Sequence, residues 1–120
     1  PFCYVRPKPK DHGTGSQIEG LLEKGAKVVI VEDLISTGMS SLAAKNALVN
    51  AGADVKGMVA IFSYNFNKAR KAFEDDNVEL TTLSNYEAVL KLALETGYIS
   101  EEMVPTLQEW RKDPGNWKKD

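Results

Sequence analysis

Apolar residues fall into two kinds of run along this chain. Val28–Glu32, Val55–Ser63 and Val78–Leu83 are short, largely apolar and bounded by Gly, Asp or Asn. Such runs predict strands, and the unbroken one at Val28–Val31 predicts burial on both faces, as in a parallel sheet. Between them the spacing turns helical. Ala44, Ala47, Leu48 and Ala51 stand at i, i+3, i+4 and i+7, which predicts a helix from about Ser40 to Asn50 with Gly52 as its C′ residue. Asn65 is placed to cap a second helix, in which Phe66, Ala69, Arg70 and Phe73 share a face with Phe66, Ala69 and Phe73 buried, and Asp75-Asp76-Asn77 breaks it. Ser84 or Asn85 caps a third, carrying Tyr86, Val89, Leu90, Ala93 and Leu94 in register and closed by Gly97. Ser100 opens a last helical region, restarted at Pro105, that offers Leu107 and Trp110 to the core before a tail at Pro114–Asp120. Near the start, Phe2–Arg6 reads as a short strand, with Cys3 as a strand residue. Pro7–Ser16 has no period and reads as a mobile surface loop. Gln17–Leu22 returns to structure before a turn at Lys24–Gly25. Strands alternating with helices imply βαβ crossovers, so the expected class is α/β with a parallel, Rossmann-like sheet.

The stretch VVIVEDLISTGMSS, Val28 to Ser41, concentrates the chemistry. An apolar strand runs into two acids, then into a loop of small hydroxyl residues and one glycine that opens a helix. Ligands of open parallel sheets sit beyond the carboxyl ends of the strands. A helix N-terminus there presents backbone N–H groups and a favourable dipole to an anion. Glu32 and Asp33 suit a metal or hydroxyls that need acceptors. A phosphate cradle beside two acids suits a sugar phosphate. The bland alternative is an ordinary strand-to-helix turn.

The ordered pattern goes further. It resembles the phosphoribosyl pyrophosphate loop of type I phosphoribosyltransferases. Upstream, YVRPKPKDHGTGSQIEG (Tyr4 to Gly20) is similar to the mobile catalytic loop of the orotate phosphoribosyltransferase family, and LQEWRKDPGNW resembles the ending of one bacterial branch. The resemblance covers essentially the whole chain and implies a type I phosphoribosyltransferase core, residues 1–120, that lacks the family's N-terminal segment. It implies a catalytic loop at about 7–16 and a substrate loop at 32–40. Arg6, Lys10 and His12 would act on the departing pyrophosphate. Glu32, Asp33, Leu34, Ile35, Ser36, Thr37, Gly38, Met39 and Ser40 would bind phosphoribosyl pyrophosphate, Ser36 also approaching orotate. Mg²⁺ would be held mainly through substrate and water, with Glu32 and Asp33 as candidates for its shell and no direct protein ligand assigned. The implied reaction joins orotate to ribose 5-phosphate, giving orotidine 5′-phosphate and pyrophosphate in UMP synthesis. The implied assembly is a homodimer whose catalytic loops serve the neighbouring subunit. Two departures stand out: Glu32 where many relatives carry aspartate, and Pro7 where many carry a second lysine. Tyr64, Asn65 and Phe66 hold no arginine where some relatives bind orotate with one. Another base, or a phosphoribosyl pyrophosphate sensor without turnover, are the competing readings; the cationic loop argues against the sensor.

Composition narrows the field. The chain has 120 residues, 42% of them hydrophobic and 27% charged, so it is one globular domain or less. A net charge of −2 argues against a nucleic-acid surface. The single cysteine, Cys3, excludes an internal disulfide and fits a reducing, cytoplasmic setting. No apolar run is long enough for a membrane span. A first residue of Pro1 points to a processed or partial chain.

Overall fold

The computed structural model describes residues 1–8 and 17–117. Three parallel strands form the centre: β3 (Lys27–Ile35), β4 (Asp54–Ser63) and β5 (Leu80–Asn85), in the order β3-β4-β5. Two short antiparallel strands, β1 (Tyr4–Val5) and β2 (Ile18–Glu19), precede them. Helices α1 (Met39–Asn50), α2 (Asn67–Asp75) and α3 (Tyr86–Glu95) follow β3, β4 and β5, and α4 (Val104–Lys112) comes last. This is the expected α/β class. The core joins Ile30, Ile35, Met58 and Ala60 of the sheet to Leu48 of α1 and to Ala69 and Phe73 of α2.

The helix ends follow from local chemistry. At the end of α1, Gly52 N–H bonds Val49 O and Ala53 N–H bonds Leu48 O, a Schellman closure with Gly52 at C′ as predicted. Asn77 closes α2 in the same way: its N–H reaches Glu74 O and Val78 N–H reaches Phe73 O. That closure uses Val78 up, so β5 starts at Leu80 rather than at Val78. Asn85 caps α3 by accepting from Ala88 N–H at 2.9 Å. Pro105 sits in the first turn of α4, where a missing N–H costs nothing.

Several expectations change. The strand expected over Phe2–Arg6 contracts to Tyr4–Val5, leaving Cys3 just before it and Phe2 exposed. Asn65 does not cap α2. It lies two residues before the helix with φ 55°, Phe66 takes the cap position in extended backbone, and no side chain caps the turn. Ala69 and Phe73 are buried as expected, whereas Phe66, expected beside them, is only half-buried. Val89 turns to solvent, and Leu107 and Trp110 are half-buried.

The largest correction concerns β3 itself. It is not covered on both faces: side chains alternate across a strand, and here one face packs on α1 and α2 while the other is open. Val29, Val31, Val59, Ile61 and Leu83 stand on the open face, with Val31 75% and Leu83 85% exposed. The radius of gyration, 17.6 Å, exceeds the roughly 13–14 Å of a closed domain of this length. An apolar run predicts that a strand wants cover, and the described residues leave Val31, Ile61 and Leu83 largely bare on that side.

Candidate functional site

β3 carries its residues further than the apolar run suggested. Glu32, Asp33, Leu34 and Ile35 all belong to the strand, and the loop proper is Ser36, Thr37 and Gly38. Strand alternation then sends the Glu32 and Asp33 side chains to opposite faces. Glu32, expected beside Asp33 at the loop, shares its parity with buried Ile30 and is half-buried; Asp33 is exposed. The Asp33 carboxylate accepts from Leu34 N–H at 2.7 Å, which holds one oxygen in place and leaves the other to solvent. Ile35 is fully buried and pairs with Ser63 of β4.

Gly38 turns the chain into α1. Its φ of 83° is the left-handed conformation, and a Cβ built there would lie 2.8 Å from Cε2 of Phe73. Only glycine suits both demands. Gly38 O accepts from Leu42 N–H, the first bond of the helix, and no side chain caps the opening turn. Thr37 Oγ1 makes only a long contact, 3.4 Å, with Met39 N–H. Orphan N–H groups of an uncapped first turn are the donors an anion needs. Ser36, Met39 and Ser40 are exposed around them and Thr37 is half-buried. Met39 and Ser40 are therefore helical residues rather than loop residues.

Of the three cationic candidates, the structure places one. Arg6 follows β1, and its Nε donates to Glu19 Oε1 at 3.0 Å across the β1–β2 pair. Its backbone joins the same pair: Arg6 N–H bonds Gln17 O, and Gln17 Nε2 donates to Arg6 O. The guanidinium has five donors, so a carboxylate on one edge does not exhaust it. Lys10 and His12 lie outside the described residues, as does most of loop 7–16. Lys8 is exposed. Among the described residues no three carboxylate, histidine or cysteine groups gather as a metal site.

Sequence reasoning passed over the neighbours of the loop. Phe73 walls Gly38. Ser41 and Ser63 are both buried, in α1 and at the end of β4. Tyr64 N–H bonds Ile35 O, tying the β4 exit to the residue just before the loop Ser36–Gly38. Beyond it lies an aromatic cluster. Tyr64 stacks on Phe66 at 5.1 Å, and Trp110 of α4 meets Tyr64 and Tyr86 at 5.8 and 5.7 Å. Burial pushes the Tyr86 phenol above its usual pKa, while nearby Arg111 opposes the rise. No local period marks such contacts, because the partners are far apart in sequence. Trp110, read as a packing residue, is one.

Comparison with known proteins adds identity to this geometry. No family model matches the chain. An orotate phosphoribosyltransferase of Bacteroides fragilis is 59% identical over 118 residues, 98% of this chain and 56% of that protein. Among solved structures, orotate phosphoribosyltransferase from Aeropyrum pernix superposes with a TM-score of 0.66 at 28% identity, covering 82% of this chain and 52% of that one. The Mycobacterium tuberculosis enzyme in complex with 5-phospho-α-D-ribosyl 1-diphosphate superposes at 0.55 and 28% identity, covering 60% and 43%. The chain spans about half the length of the curated relatives it matches. No described helix is long and apolar enough to cross a membrane. In sequence, over nearly its whole length, and in fold the chain is similar to orotate phosphoribosyltransferases.

Proposed function

We propose that the whole protein transfers ribose 5-phosphate from phosphoribosyl pyrophosphate to orotate, and that this chain carries the phosphoribosyl pyrophosphate side of the site. The observation that carries the reading is the uncapped, glycine-turned start of α1 directly beyond Asp33, in a chain 59% identical to an orotate phosphoribosyltransferase. The 5′-phosphate sits on the N–H groups and hydroxyls of Ser36–Ser40. Asp33 accepts from ribose hydroxyls. Glu32, on the other face of the strand, acts through water or on the metal shell.

The bond between the anomeric carbon and pyrophosphate oxygen breaks as that carbon bonds to the ring nitrogen of orotate, whose N–H proton is given up to water. Positive charge grows on the ribose and negative charge on the leaving oxygens. Preorganised cations lower the barrier where that charge appears. Arg6 reaches the pyrophosphate with the donors Glu19 leaves, and Lys10 adds a point charge. His12 donates a hydrogen bond or proton to the leaving group. Mg²⁺ fits a site of this kind, since it binds through one or two carboxylates and substrate phosphates. Asp33 is the exposed carboxylate for it, and Mg²⁺ would neutralise pyrophosphate charge. Orotate consumption by the whole protein with phosphoribosyl pyrophosphate tests the reading, and preference for a purine or another pyrimidine would replace it.

Two substitutions probe the parts. Asp33→Asn should leave the fold intact, because the exposed side chain keeps an oxygen for Leu34 N–H. It should weaken phosphoribosyl pyrophosphate binding by roughly tenfold, the loss of one charge-assisted hydrogen bond. Calorimetry showing wild-type affinity would remove Asp33 from the site. Lys10→Ala should lower kcat by about 100-fold or more with little change in KM, as expected for charge used only in the transition state. A pure KM effect would make Lys10 a binding residue. If the loop serves a neighbouring subunit, mixing Lys10→Ala chains with chains disabled at Asp33 restores some activity; no recovery argues for a site within one chain.

A further inference from the structure

Asn65 lies just past β4 in a left-handed conformation, φ 55°. Three bonds meet at it or beside it. Its N–H donates to Ser63 Oγ at 3.0 Å. Its side-chain Nδ2 donates to Glu87 Oε2 at 2.9 Å. Glu87 Oε1 in turn is ion-paired with Arg111 of α4, whose guanidinium lies 5.8 Å from the centre of the Tyr86 ring. On the other side, Tyr64 N–H bonds Ile35 O at 3.2 Å, and Ile35 immediately precedes Ser36. A continuous path therefore joins the last helix to the substrate loop: Arg111, Glu87, Asn65, Tyr64, Ile35.

We infer that Asn65, Glu87 and Arg111 are positioning residues that set the β4 exit and, through the Tyr64–Ile35 bond, the placement of the loop Ser36–Gly38. None of the three has to touch the ligand. Asn is among the residues that tolerate left-handed backbone, so conformation alone would be met by glycine. The side-chain amide is needed for a second reason: it is the donor that couples the exit to Glu87. Glu87, on α3, uses both oxygens, one for Asn65 and one for Arg111, and so stands between the β4 exit and α4. The aromatic contacts of Trp110 hold α4 against the same exit. The ligand part of this inference rests on the proposed function; the structural coupling does not.

The test uses two variants of the whole protein with different failure modes. Asn65→Gly keeps the left-handed turn and removes the amide. Asn65→Asp keeps size and turn tolerance but sets a carboxylate against Glu87. Two readouts are taken on each: hydrogen exchange of the Ile35 and Tyr64 amides without ligand, and the dissociation constant for phosphoribosyl pyrophosphate. Both variants should exchange faster at these amides and bind more weakly, by roughly two- to tenfold for one lost hydrogen bond, with Asp the worse. Thermal melts show whether either variant is globally unfolded, and Arg111→Gln replaces a variant that is. Wild-type exchange in Asn65→Gly overturns the inference, since the turn alone would then suffice. Faster exchange with unchanged affinity also overturns it, because the path would be merely structural. A wild-type protein that fails to bind phosphoribosyl pyrophosphate refutes the proposed function instead, and exchange alone then decides the coupling.

Discussion

Gly38→Val should abolish phosphoribosyl pyrophosphate binding while the sheet still forms. The left-handed φ of 83° disfavours any residue with a Cβ, and the new atom would also start 2.8 Å from the Phe73 ring. Strain of the first kind costs about 1–2 kcal/mol and overpacking about 1–3 kcal/mol more. The protein escapes by flipping the loop or pushing Phe73 and α2 away, and either outcome takes the first-turn N–H groups off the phosphate. A control separates the two causes. Gly25 has the same φ, 83°, with no atom within 4 Å of its Cβ position. Gly25→Val should therefore show the conformational cost alone and retain binding. Equal effects from both substitutions would mean that Phe73 is no wall.

The second large effect concerns the 120-residue chain by itself. It should form no measurable orotidine 5′-phosphate and should bind phosphoribosyl pyrophosphate weakly. The loop Ser36–Gly38 begins at the end of a sheet whose other face exposes Val31, Ile61 and Leu83. The chain spans about half the length of its relatives. Orotate meets few walls there, and charges in a wet site are worth much less than in a closed one. The open apolar face also predicts association or loss of cooperative melting in the isolated chain. Following orotate consumption beside the whole protein checks the claim. Turnover near that of the whole protein would show that this segment suffices for catalysis.

These expectations differ in how far the sequence supports them. Where a feature is local, its residues announce it. Gly52 and Asn85 end and start helices through bonds made within a turn, and both stand where their chemistry predicts. The helical periods of α1 to α3 and the strand–loop–helix order around Gly38 are of the same kind. So is the family resemblance, because it rests on ordered residue types. Asn65 shows the limit: an asparagine before a helical pattern suggests a cap, yet its side chain goes to Glu87, twenty-two positions away, and a distant partner outweighs a local one.

What the chain determined by itself was the class of fold, the order of its elements, and the loop that opens on a helix N-terminus, since each depends on neighbours along the backbone. Tertiary structure alone decided the rest. It set the length of β3, because pairing with β4 continues to Ser63 and carries both acids into the strand. It sent Glu32 and Asp33 to opposite faces, because a strand alternates wherever pairing holds it. It left one sheet face bare, because an apolar run records a demand for cover and never who supplies it. It placed Phe73 against Gly38 and joined α4 to the β4 exit beside Ser36–Gly38, because contacts across long sequence separations depend on how helices dock on the sheet.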